Sequence, residues 1–405
     1  MSDTYPPPID PDDPVGAPYW SPIPQQPVSY PPVPGAPPPV STGYAPVPAG
    51  YEPVPAGYAP VPAGYAPAPA GYAPAPIASP LTEGAMPDGE RTYPQMLRGP
   101  RRRWWRPLLS LLLAGVIAIA AQVLAVIPFL AFGLIATGGR DYPQWLEREF
   151  TKLASMQIDA AGFFYTNLGL IALIPAAGLS IWAVHHIRPK FVSSVAGGFR
   201  WRWLLRCLIV VVPVWVLYIG SNLLLEQPAN SDRPAEWVLL LVLVVVMTPF
   251  QAAGEEYFFR GWILQNVGSW FPRPVLSLIG GTIVSVVAFS AAHGSPDPWI
   301  LASLAIFALS CCLLTWRTGG LEAAIAVHAV NNIAAFFAVI SFGGWDQAFI
   351  GADSKGSPGQ FAVDAAVQVV AFALLWWQAG RAKIVTTYRP AGPGAATAPA
   401  LPVAN

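Results

Sequence analysis

Three short stretches of this 405-residue chain place ionisable or amide side chains inside apolar runs. The first, "EEYFFR", closes the run "WVLLLVLVVVMTPFQAAG" and supplies Glu255, Glu256 and Arg260. A charged residue at the centre of a membrane helix costs roughly 2.5–3.5 kcal/mol on insertion scales, so the placement calls for a reason. Glu256 and Arg260 are four residues apart with the acid first, the favourable order for an intrahelical pair. Glu255 is rotated about 100° from that pair and is left to face another element, where a carboxylate without a cation is a candidate general base. The second stretch, "FSAAH", sets Phe289 and His293 one helical turn apart. The third, "HAVNN", does the same for His328 and Asn332. The other two of the four histidines, His185 and His186, fall in a basic loop.

One carboxylate and two imidazoles on three helices are the donor types of a hydrolytic zinc site, with Glu255, His293 and His328 as candidate ligands. Without a metal, the same residues can act through a Glu255-activated water, with His293, His328 or Asn332 stabilising an oxyanion. Taken singly, each cluster has a plainer explanation. A histidine on an apolar helix is usually a hydrogen-bonded packing residue, and a Glu–Arg pair near a helix end is often an interfacial salt bridge. Three such clusters in one stretch of chain favour a shared site, because ionisable groups within membranes are functional by default.

The elements that must position these residues are membrane helices. The chain is 54% hydrophobic and only 11% charged, with a mean hydropathy of +0.46 despite a polar first hundred residues. A soluble domain carries about 25% charged residues. Formal net charge is zero, so no global field draws nucleic acid, and no nucleic-acid partner is expected. Eight apolar stretches follow one another at 108–136, 161–184, 207–225, 237–266, 275–293, 299–316, 321–342 and 362–380. Spanning segments in lipid must satisfy their backbone internally, so each reads as a helix. The fold class is therefore all-α, a polytopic helix bundle. Cys207, Cys311 and Cys312 lie in or beside these spans and read as small buried hydrophobes. "GG" at 280–281 suggests close helix packing, and "RTGG" at 317–320 a tight turn. Asn167, Asn222 and Asp364 fall near span ends, where interfacial hydration is cheap.

Before the spans lies a tail rich in proline: 29 of the 47 prolines fall in the first hundred residues, which forbids a helix there. A seven-residue unit of the type "GYAPVPA" recurs, with Tyr44, Tyr51, Tyr58, Tyr65 and Tyr72 in register. The segment has too few large aliphatics to form a core and reads as disordered, with polyproline-II character. It is either a spacer or a docking site for a partner with an aromatic groove. No cleavable signal peptide is read at the N-terminus. Arg98, Arg101, Arg102, Arg103 and Arg106, with Trp104 and Trp105, then form a positive-inside and aromatic-belt signature. Together with the basic loop "HHIRPK" and the distribution of the other cations, it puts both termini in the cytoplasm. The expected organisation is a tail over 1–95, a basic segment with two spans over 96–204, a core over 205–385, and a disordered C-terminal tail over 386–405.

In order, the three clusters match the patterns EExxxR, FxxxH and HxxxN over about 80 residues. In this the chain resembles the CPBP family of intramembrane proteases, the CAAX protease and bacteriocin-processing group, which includes CAAX prenyl protease type 2. The resemblance covers roughly 205–342 and leaves out the tail. It implies that Glu255 activates water and that Glu256 and Arg260 organise the helix. It further implies that His293 and His328 are metal ligands or oxyanion stabilisers, and that Asn332 supports the oxyanion. The expected function is an intramembrane endopeptidase acting on a membrane-associated peptide or protein, with zinc as the candidate cofactor, the bilayer as its setting, and CAAX-type processing as one form. The alternatives are a non-catalytic membrane scaffold or immunity-type protein of the same fold, and a proton-coupled transporter, which the spans do not favour because no internal repeat is visible. One geometric tension remains in the sequence. His293 lies about 27 Å along its span at 1.5 Å per residue, whereas His328 lies early in its own, so simple alternation sets the two at different depths.

Overall fold

The computed structural model describes residues 84–154, 158–225, 233–345 and 348–390. The expected heptapeptide tail and the side chain of Asn222 lie outside the described residues. The helices in chain order are α1 (Arg106–Ala136), α2 (Tyr142–Ala154), α3 (Ala160–Ile171), α4 (Leu173–His185), α5 (Lys190–Ser193), α6 (Trp201–Leu225) and α7 (Trp237–Glu256). They continue with α8 (Leu264–Gly268), α9 (Pro274–Ala292), α10 (Pro298–Thr318), α11 (Glu322–Phe342) and α12 (Pro358–Arg381). Among the described residues, eight segments are long and apolar enough to cross a membrane. α3 and α4 together make the second, and α7 through α8 make the fourth. The protein is a multi-pass, all-α membrane bundle.

The apolar side chains divide by what they face. Leu112, Ile119, Ile209 and Leu217 are more than 60% exposed, as expected of surfaces solvated by lipid rather than water. Inside, α7 and α11 pack against each other at the centre, with α3 and α4 on one side and α6, α10 and α12 on the other. On α6, Trp203, Cys207, Val211 and Trp215 recur every four residues and form one ridge. That ridge meets Ala323, Ala326, Val327 and Ala334 of α11, whose small side chains let the backbones approach. All three cysteines are buried and free.

Glycine matters most where α7 crosses the α3–α4 junction. A β-carbon at Gly254 would stand 2.1 Å from the Leu170 carbonyl oxygen, so only glycine fits immediately before Glu255. Gly281 of the expected close-packing pair lies against Leu264 in the same manner. The turn at 317–320 closes on Gly319, whose φ of +67° an L side chain rarely adopts.

At this end of the bundle Arg200 grips Glu322 through Nε and Nη2, at 2.9 and 2.7 Å, while its Nη1 donates to the Thr318 and Val385 carbonyls at 2.9 Å each. Glu322 is fully buried, and the fork geometry satisfies both of its oxygens. The same end corrects two expected boundaries. Residues from Gly84 onward are packed rather than part of a tail. Tyr93, Met96 and Leu97 are buried, and the Tyr93 hydroxyl donates to the Val192 carbonyl. Residues 386–390 are not a free tail either: strand β2 (Thr387–Tyr388) pairs antiparallel with β1 (Arg91–Thr92). The reason is local hydrophobicity. "TYPQML" carries three large apolar side chains in six residues, which the proline-based boundary overlooked. The basic segment is likewise built in: Arg98 and Arg102 donate to the Ser269 carbonyl at the end of α8, at 2.7 and 2.8 Å. Arg98 is correspondingly held below the usual guanidinium range, chiefly by burial and also by neighbouring Arg102.

Truncation should expose this boundary. Removal of residues 1–83 should leave the melting temperature of detergent-purified protein unchanged within about 2 °C. Extending the deletion through Leu97 removes three buried apolar side chains, each contributing on the order of 1.5–3 kcal/mol, and should lower it sharply. Equal melting temperatures for the two truncations would show that the segment 84–97 contributes nothing to the fold.

Candidate active site

The site is built where α7 faces α11. The long apolar run of α7 ends in Gly254, Glu255 and Glu256, and the chain then widens into a π-helical turn over Tyr257–Ile263 before resuming as α8. Such widened turns recur at functional sites. Glu256 and Arg260, both fully buried, form the expected pair: Arg260 Nη1 donates to Glu256 Oε1 at 2.9 Å. The same oxygen also takes the Nδ1 of His328, across on α11, at 2.7 Å. A carboxylate oxygen only accepts, so Nδ1 carries the proton. The His328 ring is thereby fixed in one tautomer, with the lone pair of Nε2 outward.

His328 Nε2 points to Glu255 Oε2 at 3.8 Å. That is too long for a direct hydrogen bond, but a water placed off the axis could lie within about 2.8 Å of both atoms. Glu255 is 8% exposed. Its other oxygen accepts from Gln251 Nε2, one turn earlier on α7. Gln251 Oε1 in turn accepts from Asn332 Nδ2 at 3.2 Å, and Asn332 Oδ1 from Asn331 Nδ2 at 3.1 Å. The amides thus run in one direction, from Asn331 through Asn332 and Gln251 to Glu255. Gln251 was missed from the sequence, although the signal was present: it stands four residues before Glu255 on the same helix face, in a run otherwise free of amides.

His293 caps the end of α9, and its Nδ1 hydrogen-bonds the Phe289 carbonyl at 2.8 Å. The tension over depth is relieved through Phe289. The ring of Phe289 lies 4.7 Å from that of His293 and 5.9 Å from that of His328, and Arg260 Cζ sits 4.3 Å over its face. Phe307 of α10 packs edge-on to His328 at 5.1 Å. His293, His328, Asn331 and Asn332 line one cavity of about 730 Å³ between α6, α9, α10, α11 and α12. Glu255 stands behind this wall, next to His328.

The structure therefore brings His328 to both glutamates, Asn332 to Glu255 through Gln251, and His293 to the same cavity. Among the described residues, no three His, Cys, Asp or Glu side chains cluster closely enough to hold a metal ion. By the same measure Glu255, His293 and His328 do not form a three-ligand zinc set in this arrangement, and His293 Nδ1 is held on the Phe289 carbonyl instead. Of the residues assigned to hydrated span ends, Asn167 is placed otherwise, while Asp364 stays near the start of α12 and partly exposed. Asn167 is buried and donates to the Phe163 carbonyl at 2.7 Å. Asp364 lines the cavity.

Comparison with known proteins bears on the same helices. Residues 234–334 match the family model described as type II CAAX prenyl endopeptidase Rce1-like. This segment, which carries all three motifs, is thus Rce1-like, in agreement with the family the motifs resemble. Over 128 residues the chain is 30% identical to YyaK of Bacillus subtilis (strain 168), itself described as an uncharacterized protein. The aligned region covers 31% of this chain and 42% of that relative, so the chain spans less than half of the relative's length. No solved structure matches.

Two substitutions separate holding from chemistry. Glu256→Gln leaves Arg260 buried without a counter-charge and should cost about 1–3 kcal/mol of stability, read as a lower melting temperature. Gln251→Leu removes the link between Asn332 and Glu255 while keeping a side chain of similar length. It should leave the melting temperature within a few degrees of wild type, so a loss as large as that of Glu256→Gln would make Gln251 a structural residue.

Proposed function

We propose that this protein is an intramembrane endopeptidase that hydrolyses a peptide bond of a membrane-associated substrate, with Glu255 as the base that activates water. The observation that carries the reading is the facing pair Glu255 Oε2 and His328 Nε2, 3.8 Å apart, at the end of a network that engages the opposite atoms of both side chains. The Rce1-like match supports peptide hydrolysis of the CAAX type at the level of the segment.

The chemistry follows from the hydrogen bonds. Water between the two side chains gives a proton to Glu255 as its oxygen attacks the scissile carbonyl carbon. The carbonyl oxygen gains the negative charge and takes a hydrogen bond from the Asn332 amide at the cavity wall, a contribution of about 2.7–4 kcal/mol per donor in hydrolases; His293, whose Nδ1 proton is held on the Phe289 carbonyl, adds a second from Nε2 only as an imidazolium. The C–N bond then breaks, and the proton on Glu255 passes to the departing amine. Glu256 holds the His328 tautomer, and Arg260 balances the charge of Glu256. A low-dielectric site strengthens each of these interactions.

We further propose that both termini face the cytoplasm. An even number of spans puts the two ends on one side, and Arg101, Arg103, Trp104 and Trp105 give that side the basic, aromatic character of a cytoplasmic interface.

Glu255→Gln removes the base without changing side-chain volume. Turnover of a quenched-fluorescence peptide by purified protein in detergent should fall at least 10³-fold, with the melting temperature within a few degrees of wild type. Retained turnover refutes the assignment of the base. Dialysis against a chelator should leave turnover unchanged, since no step above uses a metal. A loss restored by added zinc would transfer the activation of water to a metal.

A further inference from the structure

We infer that Asp364 forms a cation-selective subsite in the substrate cavity, so that the segment cleaved carries a basic residue close to the scissile bond. The inference rests on the peptidase reading above and names the substrate chemistry of that same cavity.

Asp364 lies on α12 and lines the cavity together with His293, His328 and Asn332. Both of its oxygens are engaged by neutral donors: Gln360 Nε2 at 2.7 Å to Oδ1 and Ser303 Oγ at 3.2 Å to Oδ2. These bonds aim the carboxylate without neutralising it. The described lining contains no lysine or arginine, and Asp364 is its sole carboxylate. At the rim, Lys355 adjoins the lining residue Gly356 and acts electrostatically on Asp297, and Arg233 donates to the Ser341 carbonyl beside the lining residue Phe342. A partly buried carboxylate with no cation on the cavity lining favours a ligand that brings one.

Position gives the subsite a register. Ser303 stands one turn from Phe307 on α10, and Phe307 packs against His328. Four residues of helix rise about 6 Å, and with the reach of the side chains the carboxylate falls on the order of 10 Å from the reacting centre. An extended chain covers about 3.3 Å per residue, so the matching lysine or arginine lies about three residues from the bond that breaks. One turn further from the reacting centre, Trp299 and Phe361 lie 5.9 Å apart, and their rings suit the aliphatic stem of such a side chain.

The test uses full-length protein in detergent and three fluorophore–quencher peptides that share one apolar sequence and carry a single Lys, Gln or Glu. The charged position is walked one residue at a time. Cleavage by wild type and Asp364→Asn is measured, with binding measured in parallel on Glu255→Gln and on Glu255→Gln/Asp364→Asn. The inference expects wild type to prefer Lys over Gln by about tenfold in KM at one or two positions of the walk, with kcat little changed. It expects Asp364→Asn to lose that preference at an unaltered melting temperature, and the binding data to show the same change. Asp364→Lys should reverse the preference toward Glu, which a merely structural aspartate would not do. Equal handling of the three peptides by wild type, absence of binding, or a preference that survives in Asp364→Asn overturns the subsite. Cleavage by Glu255→Gln, with the charge preference intact in binding, overturns the peptidase mechanism and leaves the subsite standing.

Discussion

A single carboxylate oxygen, Oε1 of Glu256, organises the centre of this molecule. It receives Arg260 from its own helix and His328 from α11, and all three side chains are almost wholly buried. An ion pair in such a place is retained at a desolvation cost of several kcal/mol per ion. Replacement by apolar side chains would be at least as stable, so stability alone does not account for it. What the arrangement supplies is orientation. It locks the tautomer and direction of His328 and thereby decides where Nε2 points, which is toward Glu255.

Much of the surrounding packing serves that arrangement. Gly254 lets α7 lie on the backbone of the α3–α4 junction, so the two glutamates that follow are buried at a fixed depth. The widened turn over Tyr257–Ile263 keeps Arg260 beneath Glu256 while α8 turns to meet the basic segment before α1. Phe289 does three things at once: its carbonyl holds His293, its face meets Arg260, and its edge meets His328. Phe307, stacked 5.8 Å from Phe289, sets a second ring edge-on to His328 beside the first.

The cavity beyond these rings is asymmetric in chemistry. One end carries imidazoles and amides, Asp364 stands about one helical turn further along, and Trp299 and Phe361 lie beyond it. A peptide laid along it would meet hydrogen-bond donors at one point and a carboxylate a few residues away. An α-helix cannot present a peptide bond to such a row without local unwinding, because its carbonyls are already bonded within the helix.

The apolar runs determined the number and extent of the spans, because in lipid the backbone has no partner but itself and length and hydropathy suffice. The Glu256–Arg260 pair was also legible, since a four-residue spacing on a helix is a distance. So was the intramembrane cost of Glu255, His293 and His328, which singled them out. What tertiary structure alone decided is which oxygen meets which nitrogen. Nothing in the spacing tells that His328 binds Glu256 rather than Glu255, or that Gln251 joins Asn332 to Glu255, because these contacts cross from α7 to α11. The same holds for Asp364, which by position belongs to a helix end and by packing also lines the cavity. It holds as well for the strand pair of β1 and β2, which joins residues nearly three hundred positions apart. Local sequence encodes periodicity and cost, whereas the partner of each costly group is set by how helices distant in the chain come to lie side by side.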